Sequence, residues 1–173
     1  MKHKILILLL ALVASTWTLW ASNTQVDGIW YDFNNSTKIA TVTYKGTNYS
    51  SANDEYSGNV NIPETVIYNN ETYTVTAIGT YAFGSCSKVT SVIIPNTITS
   101  IGDHAFWNND NLKTIIIPSS VTIINKYAFC SCSRLDSVVI GSGVTNIGEY
   151  AFYQCEKKKK KKPYPCHIVL RNE

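Results

Sequence analysis

Val75-Thr76-Ala77-Ile78-Gly79-Thr80-Tyr81-Ala82-Phe83 is the stretch that decides the fold, because it recurs. Ala82-Phe83 returns as Ala105-Phe106, Ala128-Phe129 and Ala151-Phe152, each 23 residues after the last. Ile78-Gly79 returns at the same period as Ile101-Gly102, Ile124-Asn125 and Ile147-Gly148. Ile94-Pro95 returns as Ile117-Pro118 and Ile140-Gly141. A fixed period of this size, held without slippage, is the signature of a solenoid. One copy cannot bury its own apolar face; stacked copies bury a shared one.

Three pieces can be read inside each copy. Leu112-x-x-Ile115-x-Ile117 has strand spacing, repeated by Val89, Val92, Ile94 and by Leu135, Val138, Ile140. Pro95 and Pro118 end these strands, since proline cannot donate to a ladder. Ile98 to Ile101 is a second short extended piece, closed by Gly102. Glycine suits a backbone position of positive φ, and Asn125, which replaces it in the third copy, tolerates the same region. Asp103 to Asn109 has the size of one or two helical turns. The second copy then sends Ile98, Ile101, Phe106, Leu112, Ile115 and Ile117 inward, with Ala105 as a small packer.

Upstream, Ile29–Phe33 and Lys38–Tyr44 read as a hairpin turning at Asn34 to Thr37. Asn48 to Gly58 is a polar loop, and Gly58 to Pro63 resembles the later Ile-Pro ends. Thr65–Tyr68 and Thr72–Val75 read as a second hairpin around Asn69-Asn70-Glu71. Residues 23–73 are therefore expected to form an N-terminal β cap, which an end repeat needs to cover its core. Lys2-His3-Lys4, the apolar run Ile5 to Ala14 and the small pair Ala21-Ser22 make residues 1–22 a secretory signal peptide, with an uncleaved anchor as the competing reading. The apolar run is short for a membrane span, and no span is expected in the mature chain.

Downstream, the repeats run over 74–156 and then break. Positions 158 and 161 should be apolar but belong to the run Lys157 to Lys162, and six lysines cannot form a buried strand. Residues 157–173 are expected to be a basic, disordered tail in which the fourth copy lacks its strand. Two readings of the run compete: a shifted reading frame, and a working basic tail for an anionic surface.

Between Asn23 and Glu156 only six basic residues face eleven acidic ones, so the formal charge of +3 comes from the two ends. That balance argues against a nucleic-acid partner, which needs a basic face. Cys86, Cys132 and Cys155 hold one repeat position, where the second copy has Asn109, and read as buried structural thiols in preference to bridges. Cys130 and Cys132 are too close in sequence to bridge each other without distortion. No nucleophile elbow, phosphate-binding glycine loop or second metal-ligand pair is present, so an enzyme, a metal site and a cofactor are not expected. Asn34, Asn35, Asn48 and Asn70 begin Asn-x-Ser/Thr triplets and mark exposed turns.

The repeat Val-Thr-x-Ile-Gly-x-x-Ala-Phe-x-x-Cys-x-x-Leu-x-x-Val-x-Ile-Pro, over about Thr74 to Glu156, resembles that of BspA-like leucine-rich-repeat surface proteins. The resemblance implies a β-rich solenoid of the leucine-rich-repeat type, secreted or at the cell surface. It implies adhesion to a host or neighbouring-cell surface protein; a glycan partner is suggested instead by planar aromatic rings in a row, which could equally stack on sugars. A carbohydrate-binding module and a truncated structural relic are the alternatives. The repeat motif consists of core residues, so it transfers no site. The candidate binding residues come from the repeat register. Tyr81, His104, Tyr127 and Tyr150 hold the position before each Ala-Phe pair and are expected to form an outward ladder. Trp107 and Tyr153, one residue after Phe, widen it.

Overall fold

A computed structural model describes residues 20–46, 55–155 and 167–170. Residues 1–19 of the leader read over 1–22, the triplet at Asn48, the lysine run and Cys166 lie outside the described residues. The first strands are β1 (Trp20–Val26), β2 (Ile29–Asn34), β3 (Ile39–Thr43), β4 (Ser57–Asn61), β5 (Thr65–Tyr68) and β6 (Glu71–Ile78). The repeat array continues with β7 (Lys88–Ile93), β8 (Ser100–Ile101), β9 (Thr114–Ile117), β10 (Ile123–Ile124), β11 (Ser137–Ile140), β12 (Asn146–Ile147) and β13 (His167–Leu170).

One sheet runs in the order β1-β2-β3-β6-β8-β10-β12, with β5 on β6. Its first three strands are antiparallel; from β3 onward the ladder is parallel. The short strands are in strict register, Ser100 with Ile123 and Ile123 with Asn146. The opposite side of the array is built from β4 paired with β7, and from β9-β11-β13, all parallel, with β7 lying against β9. Side chains of both sides enter one core. Val92, Ile115 and Val138 are all buried in it.

Both expected hairpins are present. Asn34 accepts hydrogen bonds at Oδ1 from the N–H groups of Ser36 and Thr37, both at 3.0 Å, and so holds the first turn. Asn69 and Asn70 take φ of 50° and 61°, the pair of positive values that a two-residue hairpin turn needs. A third hairpin was not expected. β1 begins at Trp20, inside the segment read as leader, and turns into β2 at Asp27-Gly28, with φ of 48° and 84°.

Three expectations are corrected. No helix occurs among the described residues; each Asp103-to-Asn109 segment is a hydrogen-bonded turn. A helix cannot continue there because two residues per segment, such as His104 and Asn108, have φ of 55° and 59°. Gly79, Gly102 and Gly148 do not have positive φ. They are glycines because a Cβ on Gly102 would stand 2.7 Å from the backbone carbon of Gly79, and one on Gly148 would stand 2.5 Å from the backbone nitrogen of Lys126. Successive turns approach too closely for a side chain. Lastly, the fourth copy does not lack its strand. His167–Leu170 pairs in parallel with β11, Ile168 beside Val138 and Leu170 beside Ile140, so the repeat step there lengthens to 30 residues.

Candidate functional site

The candidate site lies on the turns that join the two sides of the array. In the first turn Ala82 N donates to Gly79 O at 3.2 Å and Gly84 N to Tyr81 O at 2.9 Å. Alternate N–H groups point to the next turn instead: Tyr81 to Asp103 O, Phe83 to Ala105 O and Ser85 to Trp107 O, at 3.0, 2.7 and 2.7 Å. The same three bonds recur from His104, Phe106 and Asn108, and from Tyr127, Phe129 and Ser131. Left-handed residues at the aromatic position (φ 55–58°) and four residues later fold each segment so that successive side chains diverge. Phe83, Phe106 and Phe129 go inside and stack at 5.0 and 4.9 Å, within 5° of parallel.

The residue two before each Phe goes to the outer side. Tyr81, His104, Tyr127 and Tyr150 form one column with centroid spacings of 4.6, 4.9 and 5.1 Å and interplanar angles of 13–20°. Trp107 stands edge-on to His104 at 6.5 Å, and Tyr153 edge-on to Tyr150 at 5.5 Å. All six candidate residues are thus brought together. Tyr81, His104 and Tyr127 are half-buried; Tyr150 and Tyr153 at the far end are 47% and 52% exposed. Inner rings spend their faces on one another and offer edges, hydroxyls and one imidazole. Burial pushes the His104 imidazole below its ordinary value, with Asp103 pulling weakly the other way, so neutral His stacks between two phenols. The left-handed conformation costs a non-glycine residue about 1–2 kcal/mol, and here a bulky ring adopts it four times.

Beneath the column the Cys/Asn position ties the turns together. Cys132 Sγ donates to Phe106 O and Cys155 Sγ to Phe129 O, each at 3.0 Å. Asn109 Nδ2 makes the same reach to Phe83 O at 2.6 Å and also bonds Phe106 O at 2.9 Å. Cys86, Cys130, Cys132 and Cys155 are buried, and no disulfide joins these four to one another.

A profile of the BspA type leucine-rich repeat region matches residues 52–168 in six copies. The chain belongs to that family. The match begins before β4 and reaches into β13, so it extends past the four Ala-Phe turns at both ends. Among solved structures, this BspA-type chain is similar to a leucine-rich repeat protein from Bacteroides capillosus. The TM-score is 0.64 at 22% identity, covering 87% of this chain and 99% of that one. It is also similar to a leucine-rich repeat protein from Bacteroides ovatus, with a TM-score of 0.62 at 31% identity, covering 85% of this chain and 41% of that one. The leucine-rich repeat protein of T. pallidum gives a TM-score of 0.57 at 21% identity over 79% of this chain and 69% of that one. Among curated proteins none matches the sequence.

Sequence reasoning missed a second surface of the BspA-type array. Ile93 and Ile116 are 61% and 58% exposed on the outward side of β7 and β9, and half-buried Val139 continues the row on β11. The signal was available. Val92-Ile93-Ile94, Ile115-Ile116-Ile117 and Val138-Val139-Ile140 are apolar at every position, whereas a strand with one buried face alternates.

Proposed function

We propose that this BspA-type chain is a non-enzymatic adhesion module, secreted or held at a cell surface, whose partner is a protein on a host or neighbouring cell. One observation carries the choice of protein over glycan: the ring faces of the aromatic column are stacked on each other. A sugar ring needs an open aromatic face, and the inner rungs offer none. A protein side can use ring edges and phenol hydroxyls, which give large contact area at low entropic cost. The exposed Ile93–Ile116 row supports the same reading, since contiguous apolar surface marks protein contacts. We read residues 1–22 as the export signal, 23–73 as the cap and 74–156 as the repeat array.

The test is adhesion of the purified chain to intact cells, to protease-treated cells and to glycosidase-treated cells. Protease treatment should abolish adhesion and glycosidase treatment should leave it. Tyr81→Phe/Tyr127→Phe/Tyr150→Phe, which keeps the stack and removes three hydroxyls, should weaken adhesion at least tenfold with an unchanged melting temperature. Loss of adhesion only on glycosidase treatment would establish the carbohydrate alternative. Adhesion indifferent to both treatments and to the triple variant would leave a structural spacer.

A further inference from the structure

The N-terminal strands form two layers that part at one end. Alternation along β2 sends Ile29, Tyr31 and Phe33 inward, and β5 brings Val66 and Tyr68 to the same interior. At Phe33 the layers are closed: Tyr68 stacks on it at 4.5 Å and Tyr73 meets it edge-on at 4.8 Å. Toward Ile29 they separate, and a cleft of about 380 Å³ opens between the Asp27-Gly28 turn and the β4–β5 connection. Every residue that lines it is among those described. Val26, Ile29, Pro63 and Val66 make its walls, exposed Asp27 and Asn61 stand at its mouth, and Tyr31, 1% exposed, lies at its floor. That volume, with apolar walls and a few convergent polar groups, suits a small ligand.

The floor holds a group that the fold does not use. The Tyr31 hydroxyl has no hydrogen-bond partner among the described residues. The other two buried tyrosines are engaged: Tyr56 donates to Thr43 O at 2.7 Å, and the Tyr73 hydroxyl meets Asn35 Oδ1 at the same distance. A buried hydroxyl left unpaired is destabilising, and Phe would fill the same space without that penalty. Burial drives the Tyr31 phenol well above its ordinary pKa and the Asp27 carboxylate adds to the rise, so the phenol is neutral and feels the Asp27 charge. No Lys, Arg or His lines the cleft, and Asp27 forms no ion pair among the described residues. A carboxylate or phosphate finds no cation here, whereas a cation finds one carboxylate and one phenol oxygen.

We propose that this cleft binds an alkylammonium group, a primary amine on an unbranched apolar stem, carried by a lysine side chain of a partner protein or by a free alkylamine. The stem lies along Ile29, Pro63 and Val66, and the ammonium donates to the Asp27 carboxylate and the Tyr31 phenol oxygen. Two acceptors on separate side chains suit the diverging donors of an ammonium better than the flat fork of a guanidinium. Neither the aromatic column nor the Ile93–Ile116 row takes part in this site, so its test is independent of adhesion.

The test titrates the full chain and reads its backbone amides by NMR. The probes are n-butylamine, the acetylated peptide Ala-Ala-Lys-Ala-Ala, and the same peptide with norleucine for the lysine. Saturable shifts at Asp27, Tyr31 and Asn61 are expected with both amines, and at least tenfold weaker binding with the norleucine peptide. Asp27→Asn should weaken both amines at least tenfold and keep the fold, because asparagine tolerates the φ of 48° held there. Tyr31→Phe should weaken them at least threefold without lowering the melting temperature of the ligand-free chain, since the hydroxyl has no internal bond to lose. A lysine peptide at least tenfold tighter than n-butylamine assigns the site to a protein partner; a smaller difference assigns it to a free amine. Absence of saturable shifts, a norleucine peptide as tight as the lysine one, or a Tyr31→Phe chain that melts lower overturns the proposal.

Discussion

The column of buried phenylalanines begins and ends differently. At its start Tyr56 lies on Phe83 at 4.7 Å, accepts a hydrogen bond from Trp30 N at 3.0 Å and donates one to Thr43 O at 2.7 Å. Burial drives its phenol pKa well above the ordinary value, so the hydroxyl stays protonated as that donor. At the other end Phe152 stacks on Phe129 at 5.2 Å and is only partly buried. The end rings Phe83 and Phe152 are the same ring type and stack on their inner neighbours at 5.0 and 5.2 Å. What separates them is the polar fastening: the first end is pinned by two hydrogen bonds into the β1–β3 region, whereas at the far end no such bonds occur among the described residues.

That contrast can be broken most directly at Tyr56. Tyr56→Ala removes a fully packed ring and leaves Trp30 N–H and Thr43 O without their partner, so it should cost about 3–5 kcal/mol in denaturant unfolding. In the middle of the array, Asn109→Ala withdraws the donor from the carbonyls of Phe83 and Phe106 and should cost about 1–3 kcal/mol. Asn109→Cys should recover part of that loss, because the thiols of Cys132 and Cys155 make the same reach. Phe152→Ala, at the far end, should cost only about 1 kcal/mol, because the ring is partly buried where the inner phenylalanines are fully buried. Equal costs at Tyr56 and Phe152, read from the same unfolding curves, would erase the distinction between the ends.

The smallest effect is expected at His104. Its folded pKa is depressed below 6.5, so the unfolded chain binds more protons in the interval between the two values. The stacked neutral imidazole contributes its full stability above the ordinary value and loses it as pH falls through the folded one. Melting temperature should therefore dip slightly on mild acidification, and His104→Tyr should remove the dip. A titration of the His104 ring by NMR that gives a value above 6.5 would show that protonated His is held by the phenol faces instead.

Much of the fold was legible because the repeat motif is made of core residues. Ala82-Phe83 and Ile78-Gly79 recur because each copy must fill the same space against its neighbour. The Asn34–Thr37 and Asn69–Asn70 turns were legible from residue types that accept turn conformations. β1 was not, because Trp20 to Ser22 look like the end of a leader; Asp27-Gly28 was the available clue. The left-handed residues were hidden because positive φ is expected at Gly or Asn, and here it falls on Tyr and His. β13 was missed by holding the period at 23; Ile168-Val169-Leu170 repeats the all-apolar triplet of Val138-Val139-Ile140, but 30 residues on. The membership of the aromatic column was legible from register. Its stacking was not, since spacing along a chain does not say whether rings meet by face or by edge.

The Cys/Asn position has a consequence for how the molecule comes apart. Each of Asn109, Cys132 and Cys155 holds a carbonyl belonging to the turn before it, so every such bond couples nearest neighbours only. Opening then proceeds as a zipper, and the two directions are unequal. Loosening from Phe152 releases one rung at a time, whereas loosening from Phe83 must first draw Tyr56 out of the β1–β3 region. Thermal fraying should run one way, and the protein at partial denaturation is a shorter array, not a half-melted one.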